Sequence, residues 1–165
     1  MMFLLDTPVL LELRKAGTGR IDDGVLSWAT ATPRQRLFVS SLALMELERA
    51  VLKLERGDKA GGDKARGWLD DQVTTAFDGR VLTIDSAVAR KSAGLPLPER
   101  EALIAATALV HGLTLVTPNP GAFRAGRLKT FSPWGYRPET EEEAEDWREA
   151  GKASGAWLKN LFLRS

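Results

Sequence analysis

The sequence PEREALIAATALVHGLTLVTPNPGAF, residues 98–123, decides the fold. Its first half has apolar side chains around most of a helical surface, so this helix must pack against other structure along its whole length. A turn at His111 and Gly112 leads into a short apolar strand, residues 113–117. Glu101 is the polar exception in the helix. A carboxylate in a first helical turn is favoured by the helix dipole, and Glu101 is also a candidate ligand of a metal site.

The composition limits the chain to one full core with an appendage. It has 165 residues, 44% of them hydrophobic, and no cysteine. Disulfides and thiolate metal sites are therefore excluded, and any metal ion would be held by oxygen. The N-terminus lacks the pattern of a signal peptide, and the apolar runs are too short to span a membrane. We therefore expect a cytoplasmic protein that does not contact a membrane.

Short apolar segments alternate with helical patterns along the chain. This alternation is typical of an α/β fold in which helices cover both faces of a parallel sheet of about five strands. Ligands bind beyond the carboxyl ends of the strands in such sheets. The predicted strands are residues 2–5, 37–40, 81–84, 113–117 and 128–131.

The charge distribution divides the chain into a domain, residues 1–135, and an extension, residues 136–165. Residues 139–165 carry 4 Lys+Arg and 7 Asp+Glu, which leaves 19 and 15 for residues 1–138. The mildly basic body permits phosphate binding without requiring it. The acidic extension also carries an amphipathic helical pattern, and we expect it to pack on the domain or on a second subunit.

Three acidic residues besides Glu101 are candidates for the site. Asp6 follows the first predicted strand, so its side chain should emerge at the carboxyl edge of the sheet. Glu46 and Glu48 lie on the helix after the second strand, about 200° apart around its axis. Only one of the two can face a given site, and helical spacing alone does not choose between them.

Four segments occur in one order: MMFLLDT (residues 1–7), FVSSLALMELERAV (38–51), PEREALIAATALVHGLTLVT (98–117) and FSPW (131–134). Together they resemble the PIN-domain ribonucleases of the VapC and FitB toxin type. The resemblance covers roughly residues 2–134 and leaves the acidic extension uncovered. It implies a three-layer α/β/α domain in which acidic residues at the carboxyl edge of the sheet hold Mg²⁺ or Mn²⁺ and hydrolyse RNA phosphodiesters.

Residue by residue, the resemblance makes Asp6, Glu46 and Glu101 the catalytic metal ligands. Asn119 can offer a further carbonyl oxygen to the metal ion. Thr7 and Thr117 end strands at the same edge, where they either orient the ligands or satisfy backbone groups. The chemistry suits the ligands, because Mg²⁺ and similar hard cations prefer carboxylate oxygens.

The resemblance also implies partners. A toxin of this type would act on RNA and would bind a small antitoxin that buries an apolar segment and inserts a basic side chain among the carboxylates. A homodimer or a larger toxin–antitoxin assembly is expected as well. Apolar helix faces around Val51, Leu54, Trp68 and Leu69 are the predicted surface for such contacts.

The departures from the family pattern all fall on the site. Pro8 replaces an Asn, Glu101 replaces an Asp, and Pro118 stands where the family usually has Arg. A fourth acid is expected at Asn119 or at Ala122, and neither residue is acidic. Two functions follow from this pattern: a metal-dependent endoribonuclease, or a PIN-fold binding or structural module in which catalysis is weakened or lost.

Overall fold

The computed structural model describes residues 1–137. The strands are β1 (Phe3–Leu5), β2 (Leu37–Ser40), β3 (Val81–Leu82), β4 (Thr114–Val116) and β5 (Thr130–Phe131). The helices are α1 (Thr7–Arg14), α2 (Asp23–Ala31), α3 (Ser41–Gly57), α4 (Lys59–Gly67), α5 (Thr74–Ala76), α6 (Ser86–Ala93) and α7 (Glu99–His111). None of these helices combines the length and the apolar composition that crossing a bilayer requires. The predicted extension lies outside the described residues, except for residues 136 and 137.

The five strands form one parallel sheet in the order β3-β2-β1-β4-β5. This arrangement confirms the predicted parallel sheet and the positions of its strands; β2 has the predicted bounds, and the other four strands are shorter than predicted. The chain adds strands on one side of β1 and then crosses to the other side at β4. The crevice beyond the carboxyl ends of β1 and β4 is therefore the switch point of the topology, where ligands bind in open α/β sheets.

The register of the sheet brings two polar residues to this crevice. Leu5, the last residue of β1, pairs with Val116, the last residue of β4. The next residues, Asp6 and Thr117, therefore leave the sheet side by side, and the Asp6 N–H donates to the Val116 carbonyl at 3.0 Å. The predicted position of Asp6 at the carboxyl edge of the sheet is confirmed.

Helices cover both faces of the sheet, as predicted. Adjacent residues of a strand point to opposite faces, and both Leu4 and Leu5 are fully buried. Leu5 belongs to a core that includes Val25 of α2, whereas Leu4 packs in a second core with Ile104 of α7. The helix of the opening stretch is thus one wall of the second core, and its apolar surface is explained by that packing.

One expectation about the surface is wrong. Val51, Trp68 and Leu69 are buried in the first core and are not available for a partner, whereas Leu54 is exposed. The sequence pattern indicated an apolar helix face correctly. It could not tell whether the face packs within the chain or against another chain, because α4 and the helical turn Trp68–Val73 fold back onto α3 and cover it.

Candidate active site

Asp6 is the most firmly held acid at the carboxyl edge of the sheet. It is buried, with 3% of its surface exposed. Its Oδ1 accepts the backbone N–H of Thr7 at 2.9 Å, and its Oδ2 accepts the hydroxyl of Thr117 at 2.9 Å. Asp6 is also the N-cap residue of α1. Because both oxygens have donors from the surrounding fold, the direction of this carboxylate is set before any ligand binds.

The structure decides between the two glutamates of α3. Glu46 points to the carboxyl edge of the sheet, where both of its oxygens accept hydrogen bonds from Arg100 at 2.6 and 3.0 Å. Glu48 instead pairs with Arg66 of α4 at 2.7 Å, on the other side of the helix. Glu46 therefore belongs to the candidate site and Glu48 does not.

Arg100 is the residue that sequence reasoning missed. Its Nη2 donates to Asp6 Oδ1 at 2.8 Å, and its Nε donates to Glu46 Oε1 at 2.6 Å. One guanidinium thus joins a carboxylate at the end of β1 to a carboxylate on α3. The available signal was the position of Arg100 in the first turn of a helix, where a cation opposes the helix dipole and needs another reason to be there.

Glu101 is the third acid at the same place. Its Oε1 lies 3.7 Å from Arg100 Nη1, which is an ion pair without a hydrogen bond. The three predicted acids therefore meet around one guanidinium. We call this group, Arg100 with Asp6, Glu46 and Glu101, the Arg100 cluster.

Two opposing influences act on the pKa of Glu46. Partial burial raises it, but the hydrogen bond from Arg100 and the nearby positive charges of Arg100 and Arg49 together outweigh burial, and the pKa lies below its ordinary value of 4.5. The hydroxyl of Thr7 also lowers this pKa, although among the described residues it makes no hydrogen bond of ordinary geometry. The hydrogen bonds to Glu46 and Asp6 raise the pKa of Arg100, against an opposing effect of burial. The cluster therefore holds an ionised Glu46 against a charged arginine at neutral pH.

The residues predicted to support the site differ in what they contact. Thr117 orients Asp6 through its hydroxyl, and Thr7 does so through its backbone N–H. Asn119 donates its backbone N–H to Thr117 Oγ1 at 3.3 Å. Asn119 is exposed, and no hydrogen bond of its side chain is found within residues 1–137. Its role as a metal ligand stays a prediction.

The donor atoms of the cluster suit a hard divalent cation, because they are carboxylate oxygens that carry three negative charges against one positive charge. Their present arrangement is closed around the guanidinium. Within the part of the chain that the structure describes, no group of three or more His, Cys, Asp or Glu side chains is arranged to hold a metal ion. The residues fit a metal ion in type and charge, provided that Arg100 moves aside.

The fold and the acidic edge define a class of protein. The family model of the PIN domain matches residues 3–128, and this chain belongs to the PIN-domain family. It is 32% identical over 143 residues to the Toxin FitB of Neisseria gonorrhoeae, covering 81% of this chain and 99% of that protein. It is 31% identical over 142 residues to the VapC ribonuclease Y4jK of Sinorhizobium fredii, covering 81% of this chain and 98% of that protein.

A solved structure supports the same assignment. The chain superposes with a TM-score of 0.73 on a chain of FitAB bound to the IR36 DNA fragment. The identity is 26%, and the match covers 84% of this chain and 100% of that chain. The resemblance predicted from the four sequence segments is therefore confirmed as membership of the PIN-domain family that includes VapC ribonucleases and the FitB toxin.

Proposed function

We infer that this chain is a metal-dependent endoribonuclease and the toxin of a type II toxin–antitoxin pair. It would hydrolyse RNA phosphodiesters with Mg²⁺ or Mn²⁺ bound by Asp6, Glu46 and Glu101. The observation that carries this proposal is the convergence of these three carboxylates at the switch point of the sheet, in a chain of the PIN-domain family.

The three carboxylate ligands would differ in how firmly the chain holds them. Asp6 is rigid, because Thr7 and Thr117 hold both of its oxygens. Glu46 and Glu101 reach the guanidinium of Arg100 from two helices on longer side chains. A divalent ion, when bound, supplies polarisation of the phosphodiester and activation of the attacking water. The chain then needs no covalent nucleophile, since its carboxylates hold the ion and thereby position the phosphate.

A first test measures whether RNA cleavage depends on a metal ion and on Asp6. The purified chain, free of any partner, is incubated with a mixed RNA substrate in millimolar Mn²⁺ or Mg²⁺ and again in EDTA. We expect cleavage in the metal buffers, none in EDTA, and a loss of at least about 100-fold in Asp6→Asn. Thermal unfolding with and without Mn²⁺ gives a second measurement. Cleavage that persists in EDTA, or no stabilisation of the wild-type chain by Mn²⁺, would contradict the proposal.

The second candidate function is a PIN-fold binding or structural module with little or no catalysis. Two observations favour it: a guanidinium lies among the three carboxylates, and the two positions for a fourth acid hold Asn119 and Ala122. The double variant Glu101→Asp with Asn119→Asp separates the two candidates. RNA cleavage that rises in this variant supports a nuclease weakened by its ligands. A folded, Mn²⁺-binding variant that still cleaves no RNA supports the binding module.

The partner of this chain would be a small antitoxin. The relatives include a protein named Toxin FitB, and a structural relative is a FitAB complex. Leu11 of α1 and the residues Met45 and Leu52 of α3 are large apolar side chains that remain exposed. They would accept the apolar segment of an antitoxin, and a homodimer or a larger assembly would use further surface. A basic side chain that the antitoxin inserts among the carboxylates would have to displace Arg100.

A further inference from the structure

The position of Arg100 is unusual for an arginine on a helix. It lies in the first turn of α7, between Glu99 and Glu101, and no side chain within residues 1–137 caps the start of this helix. Positive charge at this end is disfavoured by the helix dipole, whereas the two glutamates are favoured there. Helix formation therefore does not explain Arg100. Its explanation must come from what the guanidinium contacts.

Those contacts involve the oxygens that a metal ion would use. Arg100 contacts Asp6 Oδ1 at 2.8 Å and both oxygens of Glu46 at 2.6 and 3.0 Å. A Mg²⁺ ion would need carboxylate oxygens at about 2.0–2.1 Å in an octahedral arrangement. A guanidinium and a divalent ion cannot both occupy the space between these two carboxylates. Their charges would also repel each other strongly at such a short separation.

We propose that Arg100 is an internal counter-ion that competes with the divalent metal ion for Asp6 and Glu46. This inference rests on the proposed function, because it concerns the same carboxylates. In the metal-free chain, the guanidinium holds the two ligands together and neutralises part of their charge. Metal binding requires the guanidinium to leave. The Arg100 side chain is 34% exposed, so it can turn towards solvent without disturbing either core.

Competition from Arg100 raises the apparent dissociation constant for the metal ion, and the size of this effect can be calculated. If the ligands are free of Arg100 in only a fraction of the molecules, the apparent dissociation constant equals the intrinsic one divided by that fraction. Removing the guanidinium removes this factor. We expect Arg100→Gln to bind Mn²⁺ about tenfold or more tightly than the wild-type chain.

The test is a calorimetric Mn²⁺ titration of the full chain, with a matched control. Arg66→Gln removes an arginine that joins α4 to Glu48 and Glu55 of α3, away from the sheet edge, and should leave Mn²⁺ binding unchanged. Asp6→Asn identifies the site, since binding that survives this change occurs elsewhere. Tighter binding in Arg100→Gln but not in Arg66→Gln supports the inference. Equal or weaker binding in a folded Arg100→Gln variant overturns it and leaves the proposed function standing.

A second measurement uses the wild-type chain and does not depend on a variant that folds. The Arg100 Nε–H group is followed by nuclear magnetic resonance during a titration with Mg²⁺, which does not broaden the signal. We expect its resonance to shift and its exchange with water to accelerate as Mg²⁺ saturates the site. An unchanged resonance at saturation overturns the inference alone. If neither the wild-type chain nor Arg100→Gln binds Mn²⁺ or Mg²⁺, the metal-dependent function and the inference both fail.

Discussion

Two arginine clusters of this molecule use the same chemistry in different surroundings. The Arg100 cluster joins Asp6 and Glu46 at the carboxyl edge of the sheet, whereas Arg66 joins Glu48 and Glu55 along the outside of α3 and α4. We call the second group, which also includes Asp70, the Arg66 cluster. Both clusters contain an arginine with several carboxylates, and both include a glutamate from the same turn of α3.

The two clusters differ in how deeply their carboxylates are buried and in whether other residues donate hydrogen bonds to them. The Asp6 side chain is 4% exposed, and Thr7 and Thr117 hold its two oxygens. The side chains of Glu48 and Asp70 are 44% and 54% exposed. Ion pairs on an exposed surface contribute little to stability, because water competes for them and salt screens them. The Arg100 cluster thus contains a carboxylate that the fold holds away from water, whereas the carboxylates of the Arg66 cluster are open to solvent.

The largest expected effect is the difference in RNA cleavage between a Glu46 variant and a Glu48 variant. Glu46→Gln removes a metal ligand of the proposed nuclease and should lower RNA cleavage by at least about 100-fold, because a neutral amide is a poorer ligand and the remaining acids bind the ion less firmly. Glu48→Gln should leave cleavage within about twofold of wild type, as surface changes away from a site usually do. Initial rates with a single labelled RNA in Mn²⁺ buffer measure both. Equal losses of RNA cleavage in the two variants would contradict the assignment of Glu46, and not Glu48, to the site.

Substituting the two arginines should have different effects on the free energy of unfolding of the metal-free chain. Arg100→Gln should lower the free energy of unfolding by about 1–2 kcal/mol, because it leaves the buried Asp6 and the half-buried Glu46 without their counter-ion; the loss is smaller than for a fully buried pair since Arg100 is partly exposed. Arg66→Gln should change it little. Urea unfolding in EDTA provides the measurement. A loss in Arg66→Gln as large as that in Arg100→Gln would contradict the role that we assign to burial.

A smaller effect is expected when the hydroxyl of Thr117, which donates a hydrogen bond to Asp6, is removed. Thr117→Val removes the donor to Asp6 Oδ2 while keeping the shape of the side chain. We expect Mn²⁺ affinity to fall by about tenfold, the usual effect of losing a group that orients a metal ligand. Calorimetric titration of the folded variant measures this change. Unaltered affinity would show that Asp6 needs no support from Thr117.

The smallest expected effect is a difference in acid titration between the clusters. In the metal-free wild-type chain, the lowered pKa of Glu46 contributes stability that is present above about pH 4.5 and is lost as the pH falls through the pKa of the folded state. In Arg100→Gln, burial remains while the hydrogen bond and the positive charge of Arg100 are gone, so the pKa of Glu46 should rise from its wild-type value. The stability that the lowered pKa of Glu46 contributes at higher pH then becomes smaller.

Glu48 gives the control for this titration. Its pKa is lowered mainly by the hydrogen bond from Arg66, and little burial opposes that effect. In Arg66→Gln, the hydrogen bond and the positive charge that lower the pKa of Glu48 are both gone, so this pKa should rise back to its ordinary range. Carbon-13 resonances of the two carboxyl groups, followed from about pH 6 to about pH 3, measure both values directly. A Glu46 pKa that does not rise in Arg100→Gln would contradict the role of Arg100 in lowering it.

Much of the fold was predictable because its signals are local. The helix and strand of residues 98–117 follow from apolar periodicity and a glycine that ends the helix with φ of 65°. Short apolar strands between helices predict a parallel sheet, and Asp6 directly follows one such strand. Its place at the carboxyl edge needed no knowledge of distant contacts, since every parallel strand ends at that edge.

Other features depended on contacts between distant parts of the chain. Whether Val51, Trp68 and Leu69 face a partner or a core was decided by the way in which α4 folds back on α3. The supporting contact from Thr117 to Asp6 spans 111 positions of the sequence. No local pattern carries such information, because side chains that are far apart in sequence meet only after the sheet has formed.

The α/β architecture, the family, and the candidate acids Asp6, Glu46 and Glu101 thus followed from sequence patterns and from the resemblance that they carry. Helical spacing left Glu46 and Glu48 open, and the resemblance favoured Glu46; the folded chain brings Glu46 and Asp6 to one guanidinium, that of Arg100, which no sequence pattern predicted. The physical reason is that helical spacing defines angles around a helix axis without defining the direction of any face. That direction is set when α3 and α7 pack on opposite sides of the strand that ends at Asp6, which brings Arg100 to residues 54 and 94 positions away.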